Sequence, residues 1–342
     1  MEQILNIQQQ LLPDLVEVMR KRYEILRHIQ LMQPVGRRSL ATTLHLTERV
    51  LRGEVDFLRI QGLIQVDSIG MHLTPNGAQL VSQMEPLIKE LFGLAELELE
   101  LQSYLKVGKV VVVPGDADQS DWVKMEMGRT GAQVLKQLVD GEQIIAVAGG
   151  STMLAVAEMM MPTPVFKMST FVPTRGGVGE AVELEANYIA SLMAKKTGGK
   201  YRLMHVPDQL SEESYQTLIR EPQIQEVLQC LRSAHIVLHG LGDAKRMALR
   251  RQSSHEVMEQ LKAEGAVGEA FGYYFDSRGE IVHHIQTVGL RLQDVNHAVK
   301  RIAVAGGISK AAAISAICPT LKQDVLVTDE GAARAILQKR SF

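Results

Sequence analysis

The sequence predicts an α/β chain in two parts: an N-terminal winged helix-turn-helix and a larger Rossmann-like domain. Three observations predict it. The first 75 residues read as helix, short helix, turn, helix and hairpin. From Val107 onward, unbroken apolar runs alternate with helical segments, as in a parallel sheet covered on both faces. The string Ala-Val-Ala-Gly-Gly occurs at 146–150 and again at 303–307, each time between an apolar run and a helix.

The N-terminal part is read in order. "RYEILRHIQLMQPVG" spaces Tyr23, Leu26 and Ile29 on one helical face and stops at Pro34 and Gly36. "RRSLATTLHL" is a short helix that Ser39 can cap. "TERVLRGEVDFLRIQG" starts at a capping Thr47, aligns Leu51, Val55 and Leu58 inward, and ends at Gly62. "LIQVDSIGMHLT" alternates around Ser68–Gly70, a small hairpin. With that third helix packed on its leucines, Arg49 and Arg52 project outward behind Thr47 and Glu48. Recognition helices offer such N-terminal positions to base edges, and arginine pairs bidentately with guanine. Arg37, Arg38 and His45 are candidates for phosphate contacts. Residues 20–60 carry nine Lys/Arg against four acids, whereas the whole chain has a net charge of -2. This asymmetry points the N-terminal part at a polyanion. Gly53 costs such a helix roughly 1 kcal/mol relative to alanine.

The connector, Thr74 to Leu105, reads as a helix with Leu87, Leu94 and Leu101 every seven residues. That stripe suits pairing with a second chain or packing within its own domain. Beyond it, strands end in "VPGDA", "AVAGG", "VPTRGG", "HGLGD" and a second "AVAGG". Ligands bind at the C-terminal ends of parallel strands, and glycine lets backbone amides and a following helix end approach an anion. The first copy adds Ser151 and Thr152, and the second adds Lys310. Arg175, Arg250 and Arg251 fall in parallel loop positions. Two phosphate cradles would suit a molecule phosphorylated at both ends; tight strand-to-helix turns alone would also use Gly-Gly. Neither a dinucleotide G-x-G-x-x-G after these strands nor a P-loop is present.

The 342 residues, 46% hydrophobic and 22% charged, suffice for a large and a small domain. Cys230 and Cys318 lack metal-ligand spacing and read as buried, reduced thiols, which fits a cytoplasmic protein. No signal-peptide pattern and no membrane-length apolar run is seen.

"LTERVLRGEVDFLRIQGLI" combined with "VAGGSTM", "PTRGGVGE", "HGLGDA" and "VAGGISKAAAI" resembles the SorC/DeoR-type sugar-responsive bacterial repressors over nearly the whole chain. The resemblance implies a C-terminal domain related to sugar-phosphate isomerases and glucosamine-6-phosphate deaminase. It implies a DNA-binding part at 1–88, with its linker helix, and an effector part at 89–342. It also implies a repressor of glycolytic genes, with operator DNA as partner and fructose 1,6-bisphosphate or a related sugar phosphate as effector. No cofactor, catalytic residue, metal or membrane is implied; a homodimer, tetrameric on DNA, is. It places Gly149, Gly150, Ser151 and Thr152 on one phosphate, and Arg175, Glu185, Arg250, Arg251, Glu269 and Lys310 around the rest. Glutamine is the expected residue at 185, and a larger, often basic, one at 53. The alternative is a sugar-phosphate isomerase or deaminase, which needs a positioned base and a ring-opening acid. "GLGDAKRMALRR" offers Asp243, and Glu269 could pair with it, although Asp243 also reads as a helix cap.

Overall fold

The computed structural model describes residues 11–44, 46–177, 179, 181–208 and 210–338. The chain divides into two compact units, 1–96 and 97–342. His45 lies outside the described residues.

In the first unit the elements are α1 (Pro13–Met32), α2 (Arg37–Thr43), α3 (Glu48–Ile60), β1 (Ile64–Val66), β2 (Met71–Leu73) and α4 (Pro75–Leu91). Tyr23, Leu26 and Ile29 of α1 and Leu51, Val55 and Leu58 of α3 are buried in one cluster with Leu40, Ile64, Met71 and Val81. Thr47 caps α3, its hydroxyl accepting the Val50 amide at 3.3 Å. Asp67 closes the β1–β2 turn by accepting the Ile69 and Gly70 amides at 2.8 and 3.0 Å. The expected cap at Ser39 is not made. α2 begins at Arg37 after Gly36, and the Ser39 carbonyl, inside the helix, accepts the Thr43 hydroxyl.

The expected single connector helix is instead two, α4 and α5 (Leu94–Leu105). Phe92 and Gly93 separate them, with Gly93 in the left-handed region at φ 64°, where a side chain is strained. Leu94, Leu97, Leu101 and Leu105 are all buried, and Leu99 is exposed.

The second unit continues with β3 (Lys109–Val113), α6 (Asp121–Leu138), β4 (Ile144–Val147), α7 (Ser151–Met159), β5 (Thr170–Pro173), α8 (Ala186–Thr197), β6 (Lys200–Tyr201), α9 (Glu212–Leu218), α10 (Pro222–Arg232), β7 (Ile236–His239), β8 (Gly242–Asp243), α11 (Ala244–Arg250) and α12 (His255–Ala263). It closes with β9 (Ala266–Ala270), β10 (Tyr273–Asp276), β11 (Ile281–His284), α13 (Leu292–His297), β12 (Lys300–Val304), α14 (Ala311–Thr320), β13 (Val325–Asp329) and α15 (Glu330–Gln338). A parallel sheet has the order β3-β13-β12-β7-β4-β5-β6. A smaller antiparallel sheet has the order β11-β10-β9-β8.

Both faces of the parallel sheet are covered, which explains the unbroken apolar runs. Ile145, Val147, Ile236 and Leu238 pack with α6, α7 and α8 residues such as Met127, Val156 and Ile189. Their alternates Ala146 and Val237 pack on the opposite face with Leu228, Leu231 and Val295. From β4 the chain winds outward through β5 and β6, then returns to β7 and winds the other way through β12 and β13. The β4/β7 boundary is therefore the switch point at which such sheets open a crevice. The first Ala-Val-Ala-Gly-Gly ends β4; the second ends β12, on the other side of β7. Cys318 is buried, while Cys230, expected to be buried, is half-buried on α10; both are free. Among the described residues no helix is long and apolar enough to cross a membrane.

Candidate effector site and DNA-reading helix

A cavity of about 440 Å³ opens at the C-terminal edge of the parallel sheet. Small-ligand sites occupy this size range. One wall is the first glycine turn, Ala148 to Thr152, entering α7. Gly150 has φ 107° and is the N-cap, so no β-carbon crowds the helix end. Gly149 packs too closely to gain a side chain: a β-carbon there would sit 2.7 Å from the Leu184 carbonyl oxygen. That carbonyl accepts the Gly150 amide at 2.8 Å, which fixes the turn. First-turn amides have no intrahelical acceptor and carry the positive end of the helix dipole. Ser151 and Thr152 add hydroxyls at the same wall.

The same cavity also has a cationic lining. Lys124, Arg175, Arg246, Arg250 and Lys310 all line the cavity. Burial and the neighbouring Arg246, Lys124 and Arg250 push the Lys310 ammonium down to about 8, against the opposing pull of Asp118. Asp243 caps α11, accepting the Arg246 amide at 2.9 Å. The cap starts a helix that brings Arg246 and Arg250, four residues apart, to one face.

The second glycine turn is built differently. Gly307 donates its amide to Asp329 Oδ2 at 2.7 Å, and Ile308 donates to Asp116 Oδ1 at 3.3 Å. Ser309 donates its amide to Asp118 Oδ2 at 2.7 Å and its hydroxyl to Asp118 Oδ1 at 2.9 Å. Lys310 donates its amide back to Gly307. The donors that a phosphate would use already hold the chain's own carboxylates. Burial keeps the Asp329 carboxyl high, even though the amides of Ala332, Ala117 and Gly307 pull it down. Of the expected second cradle, only the Lys310 side chain and Gly306 reach the cavity.

The sequence-predicted site residues therefore separate. Gly149, Gly150, Ser151, Thr152, Arg175, Arg250, Glu269 and Lys310 line one cavity. Arg251 does not: its buried guanidinium donates to Glu269 Oε1 at 2.9 Å and to the Tyr274 hydroxyl at 3.3 Å. Glu185 does not line it either: it is the N-cap residue of α8, and its carboxylate accepts the Gly179 amide at 2.9 Å. The Gln-to-Glu departure at 185 thus falls outside this cavity. Lys124, Arg246, Asp118, Asp121, His239 and Phe271, not foreseen from sequence, line it. His239 is fully buried and its pKa is lowered by that burial. Its ring nitrogens contact the Gly240 carbonyl and Gln323, and its ring packs 4.8 Å from Phe271.

In the first unit, Thr47, Glu48, Arg49, Arg52 and Gly53 are all exposed at the start and outer face of α3. Arg37 and Arg38 are exposed on α2, with Arg38 Nε 3.2 Å from Glu48 Oε1. Glu54 lies between Lys21 and Arg22 of α1, which ties α3 to α1. Nothing within 4 Å would meet a β-carbon at Gly53.

Comparison with known proteins identifies both units. Residues 89–338 match the sugar-binding domain family Sugar-bind, and residues 18–88 match the CggR N-terminal DNA-binding domain. The central glycolytic genes regulator of Priestia megaterium is 49% identical over 339 residues, spanning 99% of each chain. The chain belongs to the central glycolytic genes regulator family. The Bacillus subtilis member is 48% identical, again over 99% of each chain. A SorC family transcriptional regulator from Enterococcus faecalis superposes at a TM-score of 0.67 with 44% identity, over 71% of this chain and 99% of that one. As a member of that family the chain is a transcriptional regulator with a DNA-binding domain and a sugar-binding domain, not the isomerase or deaminase considered as the alternative.

Proposed function

We propose that the protein represses glycolytic genes and releases its operator when a sugar bisphosphate, fructose 1,6-bisphosphate or a close relative, enters the cavity. The observation that carries this reading is one cavity lined both by a helix N-terminus with hydroxyls and by several cationic side chains. The turn from Gly149 to Thr152 would hold one phosphate through backbone amides other than that of Gly150, which holds the Leu184 carbonyl, and through the Ser151 and Thr152 hydroxyls. Arg246, Arg250 and Lys310 would hold the other through side chains, because the second glycine turn is closed by Asp118, Asp116 and Asp329. Asp118, Asp121 and Asp243 also line the cavity and are acceptors suited to sugar hydroxyls.

Operator reading is assigned to Arg49 and Arg52 with Thr47 and Glu48, and phosphate contacts to Arg37 and Arg38. A homodimer that pairs half-sites, and a tetramer on longer operators, follow from the symmetry of such sites. The effector must bind DNA-competent and DNA-incompetent states unequally to regulate anything. The test is selection of bound sequences from a random DNA pool, then anisotropy of the winning duplex with sugar phosphates added. Release by fructose 1,6-bisphosphate and not by inorganic phosphate is expected; a selected duplex indifferent to every sugar phosphate would overturn the reading.

A further inference from the structure

A buried cluster of two cations and two carboxylates adjoins the cavity and shares Arg175 and Glu269 with its lining. Arg251 and Glu269 form a close pair at 2.9 Å, and Glu269 also accepts the Gly272 amide at 2.8 Å. Arg175 and Asp208 complete the cluster on looser terms. Asp208 is 1% exposed. Its Oδ2 is 3.6 Å from Arg175 Nη1 and 3.7 Å from Arg251 Nε, beyond hydrogen-bond range in both cases. Among the described residues neither Asp208 oxygen has a hydrogen-bond partner, and Arg251 Nε has none.

A buried carboxylate without hydrogen bonds is costly, and such groups call for an explanation. Its backbone is well held: Asp208 donates its amide to the Gly177 carbonyl at 2.7 Å, and its carbonyl accepts the Val288 amide. The side chain is thus fixed by its loop at a point where it contributes charge and little else. The charge it opposes is that of Arg175, the cation of the cluster that lines the cavity. Burial pushes the Asp208 carboxyl up, while Arg175 and Arg251 pull it down and Glu269 and Glu185 push it further up.

We propose that Asp208 is a positioning residue that competes with anionic ligands for Arg175 and thereby sets effector affinity. A phosphate that takes the Arg175 guanidinium leaves Asp208 facing Arg251 and Glu269 alone. The protein therefore binds its effector more weakly than the cavity's cations allow. The segment that carries Asp208 is hydrogen-bonded to both the Arg175 loop, through Gly177, and the loop at Val288, so loss of the Arg175 contact is felt in both. This inference rests on the phosphate-binding role given to Arg175 above.

The test uses Asp208→Asn, Arg175→Gln and the double variant, each titrated with inorganic sulfate and with fructose 1,6-bisphosphate while thermal unfolding is followed. Asp208→Asn is expected to bind both anions at least about tenfold more tightly than the unmodified chain, because removing one buried like charge strengthens the field of Arg175. In the Arg175→Gln background the same change should give no gain in affinity. A purely structural Asp208 predicts weaker or unchanged binding in a folded Asp208→Asn protein, and that result would overturn the proposal. If Asp208→Asn does not fold, melting temperatures decide. Arg175→Gln leaves Asp208 with only Arg251, already paired to Glu269, as counter-charge, so the double variant should melt above Arg175→Gln, and equal or lower melting would refute the pairing. An unmodified chain that binds neither anion would instead bring down the effector site itself.

Discussion

Lys310 gives the effector site a pH dependence that can be worked out in advance. Its ammonium sits among Arg246, Lys124 and Arg250 and titrates at about 8. At pH 7 it is about nine-tenths protonated and at pH 9 about one-tenth, by the ordinary titration curve. A phosphate beside it favours the charged form, so effector binding takes up a proton wherever Lys310 is neutral in the free protein. The second phosphate ionisation lies near 6, so the ligand's own charge is nearly constant across this window. If contact requires the ammonium, affinity for fructose 1,6-bisphosphate falls about tenfold between pH 7 and pH 9. Calorimetry in two buffers of different ionisation heat would also read an uptake of about half a proton per site at pH 8. Lys310→Arg should bind with little change across the window, and Lys310→Met weakly and equally flatly. The stability sign is opposite. The folded pKa lies below the ordinary 10.5, so the buried charge destabilises the fold most below about pH 8, and the penalty fades as pH rises toward 10.5. Lys310→Met should therefore raise the melting temperature at pH 7. An unmodified chain with the same pH profile as Lys310→Met would refute the reasoning.

Three further outcomes are expected. Gly149→Ala forces a β-carbon to 2.7 Å from the Leu184 carbonyl, which overpacks the turn by about 1–3 kcal/mol and should abolish the ligand-induced rise in melting temperature. Gly53→Ala meets nothing within 4 Å on an exposed helical face, so it should raise the stability of the N-terminal unit by about 1 kcal/mol in denaturant titrations. Arg52→Ala should relax sequence preference at one operator position at a cost of about 1–3 kcal/mol, read by competition with mutant duplexes, while effector binding is unchanged.

Local signals in the sequence foretold local structure. The Thr47 cap, the Leu51–Val55–Leu58 face and the hairpin around Ser68–Gly70 depend on residues within a few positions of each other. The break at Gly93 was missed because a strong leucine repeat on both sides outweighed one glycine, although a glycine after an aromatic at a helix end is a recognisable stop. The two glycine turns look alike in sequence and differ in space. The second is filled by Asp118 and Asp116, about 190 positions away in the chain, and by Asp329 from the next strand. No periodicity reports a contact of that range. Arg250 and Arg251 are adjacent letters on a helix turn, so one meets the cavity and the other the buried cluster. Arg246 was legible after all: four residues before Arg250, behind the Asp243 cap, it must share its face.

Calorimetric titration of the full chain with fructose 1,6-bisphosphate, fructose 6-phosphate and inorganic phosphate, repeated on Arg250→Ala, asks whether the cavity selects a bisphosphate. One saturable site per chain is expected for the bisphosphate. The monophosphate should bind more weakly, and the difference between the two should be lost in the variant. Equal affinity for both sugars in the unmodified chain, or no binding of either, would contradict that selection.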